Sequence, residues 1–359
     1  MPYPSGLSAQ LGIKSETTWG TAVVVDKFYE LLSESLAYTP TFLDSAGLKA
    51  GQAYKRVART QISRVSVEGD ITMEHSDGGT NGTAASMGTW WKHALGSTVT
   101  TPTQIAASTA YRQTHTPGSK AGFGLTVQVG RPQISGPTVQ PFTYSGIKVT
   151  DWEFTCSDGE LAQLKLSCLG RDEATATGLA SASYPSPNGV FSFADTGTAT
   201  GGVFTIGGTP ATAASRTTIT GGTPVASLVS GITIKGTTPM KDDRFGFANA
   251  GLRGEPIEND IPTITGTLET EFFSRTELYD LFKSNTTTAL QLDFAHGDAG
   301  TSNPFRLSFV LPAIKLKTGS VSVDGPDVLG QSIDFEAMDN GADPVIQVEI
   351  VSKQQTTIA

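Results

Sequence analysis

A chain of 359 residues, 38% hydrophobic and only 16% charged, is long enough for two ordinary domains that each bury a core. A formal net charge of −9 excludes a protein that grips nucleic acid through a basic face, but not a wall along which DNA slides. Forty glycines scattered among Thr-, Ser- and Val-rich segments indicate short strands and tight turns, hence a mainly β fold.

Residues 1–27 read as a polar, turn-rich N-terminal arm whose aromatics are Tyr3 and Trp19. The first residues have no basic or apolar signal-peptide region, and no apolar run approaches the roughly 18–20 residues needed to cross a membrane. A strand-like run covers 28–36. Period-two alternation follows at Val65, Val67, Ile71 and Met73, and again at Val149, Trp152 and Phe154, before an Asp158-Gly159 turn. Leu164, Leu166 and Cys168 then share one face. Residues 174–227, rich in Thr, Ala, Gly and Ser and containing short β-like pieces such as Val203-Phe-Thr-Ile206, read as a linker or small insertion, and alternation resumes from 228 to 351 ahead of a tail at 352–359.

The second half repeats landmarks of the first. Gly-Leu-Lys-Ala-Gly at 47–51 corresponds to Gly-Leu-Arg-Gly at 251–254, and the strand around Gly69 to the strand around Gly266. A short helix follows each strand, with Met87, Trp90, Trp91 and Lys92 matching Leu278, Leu281, Phe282 and Lys283. Ser86 is the expected cap of the first helix, and Ser274 with Glu277 a capping box for the second. The shared order predicts tandem β-sandwich or barrel domains at 28–173 and 228–351, each with a flanking helix and the first with an extra stretch at 97–141. One large β-domain is the alternative. Trp90, Trp91, Trp152, Leu281 and Phe282 are the expected core landmarks.

Catalytic chemistry finds little support. His75, His93, His115 and His296 lack metal-site spacing, and there is no P-loop and no GxSxG elbow. The stretch at Gly122 and Gly124 lacks a dinucleotide fingerprint. Cys156 and Cys168 read as small buried hydrophobes, and the acid pairs Asp324/Asp327 and Asp339/Asp343 as solvated turns. The sequons at Asn81 and Asn285 carry no weight without a secretory signal. No enzyme activity, metal or cofactor is expected.

One asymmetry separates the halves. Residues 47–64 carry Lys49, Lys55, Arg56, Arg59 and Arg64 without an acid, a formal +5. Residues 251–263 carry Arg253 against Glu255, Glu258 and Asp260, one cation less three anions, a formal −2. Either these are complementary docking loops between copies or unrelated solvated loops.

The opening Leu11-Gly-Ile-Lys-Ser-Glu-Thr-Thr-Trp-Gly-Thr-Ala22 resembles the start of the tail tube proteins of long-tailed, siphovirus-type phages, with motifs similar to those from phages of actinobacteria. The resemblance continues through Val129-Gly-Arg-Pro132, 139–152, Arg171-Asp-Glu173, 251–256 and Gly325-Pro-Asp-Val328. It implies packed β-sheets with a flanking helix, and homo-oligomeric rings stacked into a tube. With two fused domains, a trimeric ring of pseudo-sixfold symmetry is expected, a hexameric ring being the alternative. The implied partners are the tape measure protein and DNA in the lumen, and the tail tip and terminator proteins. The implied location is the virion tail, with assembly in the host cytoplasm and no membrane. A β-rich binding module, such as a phage decoration or adhesin-like protein, is the rival function.

Overall fold

The alternating patterns become antiparallel strands in the computed structural model, which describes every residue except 1, 2, 4, 80–86, 136–137, 186–188, 198–201, 324 and 356–359. The expected cap Ser86, the sequon at Asn81 and Asp324 therefore lie outside the described residues. The first half opens with β1 (Gln10–Ser15), β2 (Lys27–Tyr29), β3 (Ser33–Glu34), β4 (Ala37–Asp44) and β5 (Thr60–Glu74). Helix α1 (Gly88–Leu95) leads into short strands β6 (Gly96–Thr98), β7 (Thr103–Gln104) and β8 (Tyr111–Pro117). The half closes with β9 (Leu125–Pro132), β10 (Val139–Ser157), β11 (Gln163–Gly170) and β12 (Asp172–Ala174).

The second half begins with β13 (Phe204–Ile206), a hairpin of β14 (Thr209–Ala213) and β15 (Arg216–Thr220), and β16 (Thr223–Pro224). Next come β17 (Val229–Thr237), the pair β18 (Met240–Lys241) and β19 (Ile257–Glu258), and β20 (Thr263–Glu271). A π-turn at Arg275–Tyr279 runs into α2 (Asp280–Lys283), followed by β21 (Thr288–Gly300), β22 (Asn303–Leu316), β23 (Gly330–Ala337) and β24 (Gln347–Ser352).

Pairing order recurs between the halves. The path β4–β5–β11–β10–β9–β1–β2 in the first is matched by β17–β20–β23–β22–β21–β13–β16 in the second. In each, the last strand returns to the long one, β12 to β10 and β24 to β22. Registers match as well: Gly69 lies opposite Cys168, and Gly266 opposite Phe335. Both glycines exist for the same steric reason. A Cβ on Gly69 would sit 2.4 Å from the Ser35 carbonyl oxygen, and one on Gly266 2.5 Å from that of Thr233, its counterpart. The bulge between Val149 and Asp151 recurs where the Lys317 and Thr318 amides both donate to the Asp334 carbonyl.

The halves are not independent bodies. β10 pairs with β17 from Asp151–Thr237 to Ser157–Gly231, and β24 pairs with β8. One hydrophobic core runs through both. Phe154 meets Phe309 at 4.5 Å and Phe294 at 5.5 Å, and Trp91 meets Trp152 at 5.1 Å and Phe309 at 5.6 Å. Trp91 also donates its indole N–H to His75 Nε2 at 2.9 Å, which requires a neutral ring, and burial pushes His75 down to about 3.

Four local readings differ from the sequence expectation. The arm contains β1, whose Leu11 and Ile13 are fully buried between β9 and β2. The linker contains β13 and β16, which pair with each other and, through β13, with β21. The extra stretch reduces to β6–β8, because β9 and the start of β10 have counterparts in β21 and β22. The capping box does not form. The Ser274 side chain makes no cap bond, and the Glu277 carboxylate accepts from the Ala226 and Ser227 amides and the Ser227 hydroxyl instead.

Candidate assembly surfaces

The β4–β5 hairpin projects a loop, residues 45–59, that carries most of the basic segment. Apolar side chains normally buried are exposed along it: Leu48, Tyr54 and Val57 are at least 90% accessible, and Phe42, Leu43 and Ile62 more than half. The cations among them are lightly held. Lys55 pairs with Asp44 at 2.5 Å, which keeps that carboxyl below its usual range. Arg56 donates to the Gly47 carbonyl and Arg59 to the Ser45 hydroxyl, while Arg64 lies over the Phe245 ring. Lys49 is exposed on the same loop.

The acidic segment behaves differently. Arg253 is 3% exposed and pairs with Glu68 of β5 at 2.8 Å. Glu255 accepts from Lys148 Nζ at 2.6 Å and the Gly122 amide at 2.5 Å. Glu258 accepts from the Lys120 amide at 2.7 Å and the Ser119 hydroxyl at 3.2 Å. Asp260 stays exposed and accepts from the Ile261 amide. Within the single chain, Arg253, Glu255 and Glu258 join the second half to the first. Their partners explain why. Lys120 and Lys148 are 2% and 3% exposed, and burial pushes Lys120 down to about 8 and Lys148 below its usual value despite Glu255. A buried lysine must meet a carboxylate or a carbonyl, and Lys120 reaches the Val149 carbonyl at 2.9 Å.

Among the core landmarks, Trp90, Trp91 and Trp152 are buried, whereas Leu281 and Phe282 pack half-buried against the core. The opening motif has a local explanation. Glu16 is 8% exposed and accepts from the Gly20 and Gly146 amides and the Thr126 hydroxyl, so one carboxylate closes the turn onto two strands. Arg171 stacks on Trp19 beside it, 5.6 Å from the ring centre, leaving no room for a side chain at Gly20. A second polar clasp joins His296 of β21 to Asp77 at 3.1 Å and Asp195 at 3.4 Å, with the ring stacked on Phe191. Among the described residues no cluster of three or more His, Cys, Asp or Glu could hold a metal ion, and no helix is long and apolar enough to cross a membrane.

The two halves share one pairing order, and the β4–β5 hairpin carries an exposed apolar tip. The family model of phage tail tube proteins matches residues 6–337, and the chain belongs to that family. No curated protein matches the chain.

Proposed function

We propose that the chain is the major tail tube subunit of a siphovirus-type, actinobacteriophage-like virion, self-assembling into stacked rings around a channel that delivers DNA. The reading rests above all on the recurrence of one strand order in both halves of a chain matched by the family over nearly its whole length. Each half acts as one tube unit, so three chains make a ring of pseudo-sixfold symmetry. The unit boundaries that fit the pairing are β1–β12 and β13–β24, wider than the alternation alone implied. The β4–β5 hairpin supplies contacts between rings through its apolar tip, with Lys49, Lys55, Arg56, Arg59 and Arg64 setting register and Asp260 as an acidic contact. The net charge of −9 lets DNA pass without counterion-release binding. Partners are the tape measure protein inside and the tail tip and terminator proteins at the ends, with assembly in the host cytoplasm. It performs no catalysis. Electron microscopy of concentrated protein tests this reading: tubes with three chains per ring are expected. Persistent monomers would overturn the tube, and six chains per ring would overturn the duplication.

A further inference from the structure

The junction inside the chain also describes a junction between chains. Strand β17 sits against residues 151–157 of β10, and both partners have counterparts at positions left unpaired. Matching Gly69 with Gly266, and the two bulges with each other, makes β3 and β4 the counterpart of β17, with Tyr38 standing where Gly236 stands. The same matching makes residues 318–323 the counterpart of 151–156, with Gly319 standing where Trp152 stands. Among the described residues, 317–323 follow β22 without a strand partner on their outer side, and Gly319 is buried, whereas Thr318 and Ser320 are exposed. The Gly319 carbonyl accepts from Gln331 Nε2 at 2.6 Å and keeps a second lone pair for a strand. Among the described residues β4 pairs with β5 and has no strand on its other edge.

We propose that Ala37–Thr39 of one copy pairs antiparallel with 318–320 of a second copy, in the register β17 uses against β10. Thr39 then lies opposite Thr318, Tyr38 opposite Gly319 and Ala37 opposite Ser320. The proposal rests on the ring reading above and adds the contact that closes the ring. Side-chain sizes support it. Inside the chain, the large residue is Trp152 and the small one is Gly236, whose Cβ would lie 2.2 Å from the indole nitrogen. Between chains the sizes are exchanged, Tyr38 facing Gly319. Beside Gly319 lies the half-buried Phe282 ring, 3.1 Å from where a Cβ would stand, and Tyr38 of the neighbour would cover it. Tyr38 is itself 36% exposed in the single chain. The pairing stops at Leu36, whose amide is held by Glu34 and whose carbonyl is held by Tyr144 and Arg131. Such edge strands demand cover of some kind.

Disulfide trapping tests the register. Ala37 and Ser320 would form a non-hydrogen-bonded pair with Cα atoms about 4.5 Å apart, within disulfide reach. The native thiols of Cys156 and Cys168 are buried and pushed up to about 12, so the background is silent. Assembled Ala37→Cys/Ser320→Cys protein, once oxidised, should run as a covalent ladder ending in a closed three-chain species, and Thr39→Cys/Ser320→Cys should not. Hydrogen exchange on the wild type needs no variant: the Tyr38 and Gly319 amides should slow on assembly. Tubes without cross-links, and with both amides still exchanging freely, would overturn the junction and leave the ring reading standing. A wild type that never assembles would remove both.

Discussion

Two single residues make the fold's demands measurable. Gly69 has φ +154° and abuts the Ser35 carbonyl, so Gly69→Ala combines backbone strain with a clash. A loss of about 1–3 kcal/mol in denaturant unfolding is expected, with Gly266→Ala suffering through the Thr233 carbonyl and the Phe335 ring. An unchanged midpoint for either would show that the crossing can relax. His296 donates from both ring nitrogens only as imidazolium, and its bond to Asp77, helped by Asp195, raises its pKa. Because the folded value exceeds that of the unfolded chain, the stabilisation is complete below about pH 6.5 and fades as pH rises through the folded value. His75, His93 and His115 are pushed down to about 3 by burial and stay neutral when folded, so their cost as pH falls below about 6.5 is common to wild type and variant and cancels in the comparison. Melting curves should therefore show His296→Gln losing stability relative to wild type at pH 6, with the gap narrowing as pH rises past neutrality. A gap independent of pH would assign His296 to packing alone.

At the scale of elements, the exposed hairpin carries the next prediction. Its ion contacts are surface pairs, each contributing about 0–1 kcal/mol, whereas Tyr54 and Val57 offer apolar area to a neighbour. Arg56→Glu/Arg59→Glu should slow tube growth modestly and blunt its salt dependence. Tyr54→Ser/Val57→Ser should slow it more, with light scattering as the readout and the folded monomer unchanged. If both variants grow like the wild type, the hairpin does not join rings. The strands flanking Gly69 and Gly266, and the two helices, were legible because period-two and i, i+3, i+4 spacing are local properties. β1 was hidden because only Leu11 and Ile13 mark its buried face, among polar neighbours satisfied by β9. Residues 203–206 read as a short β-like piece, but three residues cannot display a period that would assign β13 to a sheet. The pairing of Glu255 with Lys148 was invisible for another reason: it joins residues 107 apart, and spacing along the chain says nothing about it.

For the whole molecule, a shared core and the β10–β17 ladder couple the halves. Phe154 rests on Phe309 and Phe294 across the divide. The monomer should unfold in one cooperative transition, with calorimetric and van't Hoff enthalpies agreeing. Phe154→Ala should lower the single midpoint, at a loss of about 3–5 kcal/mol, and not split it. Two resolved transitions would mean that the halves are autonomous.

The close approach of Gly236 to Trp152 has a consequence for traffic among newly made chains. Only glycine fits at that point, and β4 carries Tyr38 in the corresponding place. The first hairpin of a neighbouring chain thus cannot invade the seat that β17 occupies, however high the local concentration. If copies join as proposed, that one indole ring would oppose strand exchange between like halves and would keep each chain's own halves together.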